Sequence, residues 1–128
     1  MATLPWVCGP QQSTDLDTAL VMASRFELTN ARQVLPFFIA ALRIYRQVRR
    51  AEGAIGVSLI AHPLRRKFYT LSAWRDRAAI DAMIQLEPHR SVMSAFRSHT
   101  ADAKFTFWSL PAGSRPTWKD ARDKLAEG

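Results

Sequence analysis

Cysteine is nearly absent from this chain of 128 residues: Cys8 stands alone. A single thiol excludes an internal disulfide and any zinc site built from several thiolates, and it suits a reducing cytoplasm. No apolar run reaches the length of a membrane span. The N-terminus lacks a basic segment followed by an apolar one, so no secretory leader is expected. No G-x-S-x-G occurs, which removes the nucleophile elbow of a hydrolase. Glycine numbers five, and none builds a phosphate-cradling loop; Gly53 and Gly56 bracket the start of a strand instead. A flavin or nicotinamide fold is therefore not expected. The three histidines, His62, His89 and His99, lie too far apart to show metal-ligand spacing.

What is present describes one folded domain. The hydrophobic fraction is 48% and the aromatic fraction 10%, enough for a real core. A chain this short would still gain from burial in a dimer. The net charge is +7, and fourteen of the eighteen basic residues are arginine. A basic balance favours nucleic acid or an anionic ligand. The arginines are scattered, however, with short clusters only at Arg43/Arg46/Arg49/Arg50 and Arg65/Arg66/Lys67. Neither nucleic acid nor membrane is expected as a partner.

Residues 1–18, with Pro5, Gly9 and Pro10, read as an irregular arm that Trp6 and Val7 anchor. Residues 19–28 read as a strand: Phe26 and Leu28 point one way, Arg25 and Glu27 the other. Val34, Phe38, Leu42 (or Ala41), Tyr45 and Val48 recur at helical spacing. The helix begins near Leu35–Pro36, because proline is tolerated only in the first turn, and Gly53 ends it. Residues 54–61 and 67–74 form an antiparallel hairpin around Pro63–Arg66. Asp76 caps a short helix that carries Ala79, Ile80, Met83, Ile84 and Leu86. Pro88 breaks it, and a second helix runs over 89–98. Residues 105–110 form the last strand. A turn-rich loop and a short charged helix from Trp118 to Leu125, capped by Thr117, follow.

The order β-α-β-β-α(α)-β is the split βαβ, ferredoxin-like arrangement of an α+β domain. Residues 19–110 are its body, between the arm at 1–18 and a C-terminal loop and helical tail at 111–128. A four-stranded antiparallel sheet would carry helices on one face. The other face, still apolar, is expected to be covered by a second copy, which makes a dimeric α+β barrel.

The stretch Phe68-Tyr69-Thr70-Leu71-Ser72-Ala73-Trp74-Arg75-Asp76, followed by Ala79-Ile80, resembles the antibiotic-biosynthesis-monooxygenase superfamily of dimeric α+β barrels. Gly53 to Leu59 and Pro88-His89-Arg90 agree with it. The resemblance implies a small oxygenase with a pocket under its helices. Cofactor-free, quinone-forming members place a tryptophan where Trp74 stands and an asparagine where this chain has Thr70; their tyrosine is Ile80 here. The asparagine, second tryptophan and histidine of haem-degrading members fall on Ser24, Met83 and Met93 or Ser94. Neither set is complete. Pro111, Pro116 and Trp118 give the tail a faint likeness to spheroidene-monooxygenase-like proteins, which would imply haem.

Phe68, Thr70, Ser72 and Trp74 share one strand face, two hydroxyls between two aromatics, as a small-molecule wall requires. Trp74 is a catalytic candidate that would stack on a flat substrate, or else a core residue. His89 is the second: a general base near neutral pH, a haem ligand, or a local packing residue. Thr70 and Ser72 would donate to an oxyanion. Ser24, Phe26 and Met83 join Phe68, Thr70 and Ser72 as substrate-binding residues. Arg90, with Arg75 and Arg97, would hold an anion at the mouth, or else pair with Asp76, Asp81 or Glu87. The expected function is a small monooxygenase-like enzyme acting on a hydrophobic aromatic or polyene metabolite, without cofactor or with haem held by His89. The alternative is a non-catalytic, dimeric ligand-binding protein on the same scaffold.

Overall fold

A computed structural model describes residues 2–127. Its strands are β1 (Ala2–Cys8), β2 (Thr18–Leu28), β3 (Ala54–His62), β4 (Lys67–Trp74) and β5 (Thr100–Pro111). Its α-helices are α1 (Val34–Arg50), α2 (Arg77–Ile84), α3 (His89–Phe96) and α4 (Trp118–Ala126). The sheet is antiparallel with order β1-β3-β4-β2-β5. Four of these strands reproduce the expected split βαβ body. The fifth corrects the reading of an irregular arm: residues 2–8 pair with β3 as an edge strand. The register slips between Leu4 and Val7, where Pro5 has no amide proton to give, as edge strands tolerate. Ser58 Oγ donates to the Leu4 carbonyl at 2.7 Å, and the Tyr45 hydroxyl to the Pro5 carbonyl at 2.7 Å. Trp6 lies over Gly56, where an added Cβ would come within 2.2 Å of its ring. Glycine at that position is what lets the indole seat.

Local signals set most boundaries. Asn30 caps the 3-10 turn before α1 by accepting from the Arg32 amide. Asp76 caps α2 by accepting from the Ala79 amide at 2.9 Å, and Thr117 caps α4 through the Asp120 amide at 3.1 Å. Gly53 turns the chain after α1 with φ of +85°, a conformation glycine adopts without steric cost. The stripe of α1 is rotated from its expected centre: Phe37, Ala40 and Val48 are buried, while Phe38 and Tyr45 are half-buried. Strand β5 starts at Thr100 rather than 105. Its first residues have weak strand preference, but β2 offers them a ladder, with Arg25 opposite Lys104 and Glu27 opposite Asp102 before the register slips at Leu28, and Arg25 pairs with Asp102 at 3.2 Å.

The sheet carries cover on both faces. Helices α1, α2 and α3 lie on the face of Met22, Ser24, Phe26, Phe68, Thr70 and Ser72. The opposite face, expected to await a second copy, is packed by the chain's own α4. Ala121 and Leu125 sit against Val21, Ala23, Leu71 and Ala73, with Trp6, Trp108 and Trp118 around them. Lys104 Nζ donates to the Leu125 and Glu127 carbonyls, a cation at the negative end of that helix.

Candidate functional site

Between the sheet and α1–α3 lies a cavity of about 70 Å³. Alternation along β2 and β4 decides its floor: residues two apart face the same way. Ser24 and Phe26 from β2 and Phe68, Thr70 and Ser72 from β4 therefore line it together. The walls are apolar, with Phe37, Ile44, Val48, Met83, Val92 and Met93 among them. Phe105 is the exposed member of the lining, at 49%, so the opening lies on the β5 side. Phe26 meets Phe105 edge-on at 5.5 Å and Phe37 at a tilt, at 5.8 Å, both within the range of favourable aromatic contacts.

The polar groups are few. Ser24 Oγ and Thr70 Oγ1 are hydrogen-bonded to each other. Ser72 Oγ accepts from Trp74 Nε1 at 2.8 Å. His89 lines the cavity, and its buried Nδ1 has no hydrogen-bond partner among the described residues. A buried polar atom without a partner is a costly feature in a folded protein. Burial pushes the His89 pKa below the usual histidine value, so the imidazole is neutral at pH 7. Its backbone is fixed by Gln47 of α1: the His89 amide donates to Gln47 Oε1 at 2.9 Å, and Gln47 Nε2 donates to the Met83 carbonyl at 3.1 Å. Gln47 thus ties the start of α3 to the end of α2.

Six of the residues expected at the site meet in this cavity, namely Ser24, Phe26, Phe68, Thr70, Ser72 and Met83, and His89 joins them. Two do not. Trp74 is 0% exposed and packs with Val48, Ala54, Val57 and Met83 behind the wall. It reaches the cavity only through Ser72, which corrects its expected role as a stacking platform. Arg90 is 68% exposed and pairs with Glu87 at 3.0 Å, because a guanidinium one residue past His89 on a helix points to solvent. Arg75 pairs with Asp76 and Glu52, also at the surface. Gln47, Met22, Phe37, Tyr45 and Phe105 were not foreseen. The signal for Gln47 was a lone amide between Ile44 and Val48 on an otherwise apolar stripe. His62 lies at the far end of β3, where burial and then Arg65 lower its pKa.

Haem does not fit these residues. The cavity of about 70 Å³ is too small to enclose a macrocycle. No lysine or arginine lines it to meet a propionate. Among the described residues no group of three His, Cys, Asp or Glu could hold a metal ion. No helix among them is long and apolar enough to cross a membrane.

Comparison with known proteins agrees with this architecture. A family described as Domain of unknown function (DUF3291) matches residues 36–127, and the chain belongs to that family. No curated protein matches it. Among solved structures it is similar to a Nitrosomonas europaea protein provisionally described as an antibiotic biosynthesis monooxygenase. The TM-score is 0.65 at 13% identity, over 72% of this chain and 89% of that one. It is also similar to SnoaB, a cofactor-independent oxygenase from Streptomyces nogalater, with TM-score 0.60 at 16% identity, over 80% of this chain and 97% of that one. A third neighbour, from Deinococcus radiodurans and also provisionally an antibiotic biosynthesis monooxygenase, has TM-score 0.62 at 13% identity over 70% and 89%. At these identities the likeness establishes the shared monooxygenase-like α+β fold.

Proposed function

We propose that this member of the DUF3291 family is a small oxygenase that needs no cofactor and acts on a hydrophobic, oxygen-bearing metabolite. The observation that carries the reading is His89, a residue that lines an apolar cavity floored by hydroxyls and has a neutral imidazole with a buried, unpartnered Nδ1. In the Nε2–H tautomer Nδ1 offers a lone pair to a substrate hydroxyl. Proton transfer to it from a phenol gives an electron-rich ring that reacts with dioxygen directly. One oxygen atom becomes a new carbonyl at the ring carbon opposite the hydroxyl. The other leaves as water, with that carbon's one hydrogen and the hydroxyl proton that His89 returns, so that dioxygen takes up the four electrons. The opening beside Phe105 is where dioxygen and the far end of the substrate would meet.

Oxygen uptake in the presence of anthrone, with product read by absorbance, tests this. The expected result is uptake by the native protein and its loss in His89→Ala. Tight binding without uptake in either protein would instead favour a ligand carrier, a reading supported by the single free acid–base group in the lining. A homodimer belongs to the same proposal. With the α4 face occupied, its support moves to the β5 side, where Phe105 and Phe107 are exposed. A cytoplasmic location is supported by the lone Cys8, which is free and exposed.

A further inference from the structure

The polar atoms of the cavity make an incomplete set, and what is missing describes the ligand. An indole N–H only donates, so Trp74 Nε1 occupies a lone pair of Ser72 Oγ. The Ser72 hydroxyl proton finds no acceptor among the described residues, although the side chain is buried. In the Ser24–Thr70 pair one hydroxyl donates to the other, which leaves a second proton free. His89 lines the same cavity from α3, and its Nδ1 is free. Donor-bearing residues on β2 and β4 and an acceptor-bearing residue on α3 thus border one small space.

Charge narrows the choice. The chain carries a net +7, yet no lysine, arginine, aspartate or glutamate lines the cavity. A carboxylate or phosphate there would be buried without a counter-ion, with its lost hydration uncompensated. A plain hydrocarbon would leave Ser72 and His89 unmatched. Size adds an orientation. The interior of about 70 Å³ takes the oxygen-bearing end, and the remaining rings extend past Phe105, out of the cavity.

We infer that the cavity selects an uncharged phenol or enol whose oxygen accepts from Ser72 and offers its proton to His89 Nδ1, with Trp74 as the positioning residue that aims the Ser72 hydroxyl. This rests on the cavity being the ligand site proposed above. Trp74 thereby acts through one hydrogen bond and never touches the ligand.

Three matched probes test it by equilibrium dialysis at neutral pH: 2-naphthol, 2-methylnaphthalene and the anion 2-naphthoate. The expected order is 2-naphthol roughly tenfold tighter than either analogue, about the worth of one good hydrogen bond. Ser72→Ala should remove that preference and leave 2-methylnaphthalene unchanged. Trp74→Phe, if folded by circular dichroism, should shrink the naphthol-to-methylnaphthalene ratio several-fold. Damage to packing alone would weaken both probes together and keep the ratio. Naphthoate binding as well as naphthol, or an undiminished preference in Ser72→Ala, overturns the inference while the ligand site stands. Failure of all three probes to bind overturns the ligand site itself.

Discussion

The two faces of one sheet are built from alternate residues of the same strands, and they have opposite characters. On one face Ser24, Thr70 and Ser72 stand among apolar neighbours under α1–α3, and a cavity remains. On the other, Val21, Ala23, Leu71 and Ala73 close against Ala121 and Leu125 of α4 as an apolar contact. The hydroxyls are not a tax on every strand position; period-2 alternation sends them to the face that keeps a space. Where the sheet needs stability it is dry, and where it carries a free imidazole it is polar and incompletely packed. Helix α4 is structural cover, and the α1–α3 side is the face that keeps a cavity.

The largest expected effect comes from Trp74→Ala. This fully buried indole should cost about 3–5 kcal/mol in urea unfolding, and Leu125→Ala on the other face about 2–5. The pair sharpens the contrast: only Trp74→Ala should also disturb ligand binding, and equal disturbance by Leu125→Ala would erase the distinction between faces. Next comes Ser72→Ala, which strands the buried Trp74 Nε1 and should destabilise by about 1–3 kcal/mol. Removal of the caps, Asp76→Ala on α2 and Thr117→Ala on α4, should each lower stability by about 1 kcal/mol. Thr117→Ala should do so without changing 2-naphthol affinity.

The smallest effect is on pH dependence. Burial lowers the His89 pKa from its ordinary 6.5. The unfolded chain then binds more protons than the folded one as pH falls below that value, so stability is complete above about 6.5 and declines beneath it. Thermal midpoints between about pH 7.5 and 5 should drop, and His89→Phe should flatten part of the slope. His62, lowered chiefly by burial and then by Arg65, keeps the remainder. An unchanged slope in His89→Phe would mean that the imidazole is solvated in the folded state.

Much of the architecture was legible because its signals are local. The run from Lys67 to Trp74 forms the expected strand residue for residue, and Asp76 and Thr117 cap as their positions before helical runs suggest. The cavity floor followed from the same alternation, since Phe68, Thr70 and Ser72 could not face different ways. Residues 2–8 were obscure because Pro5 and Pro10 read as loop, while the hydrogen bonds that make them a strand come from β3, some fifty residues away. The tail was obscure for a related reason. Ala121 and Leu125 are too few to form a visible stripe, and their burial exists only where the sheet supplies the opposing surface.

By itself the sequence determined the α+β class, the strand faces and the residues able to do chemistry, because periodicity and capping depend on neighbours along the chain. It could not decide which candidates meet. Trp74 was a catalytic candidate beside His89 and Arg90 a binding one, yet the first is sealed behind the wall and the second pairs with Glu87 in solvent. Only tertiary packing settles that, because burial and the loss or gain of a hydrogen-bond partner are properties of the space around a side chain. The free Nδ1 of His89 exists because Gln47 pins the start of α3 over a floor made by two strands far apart in the chain.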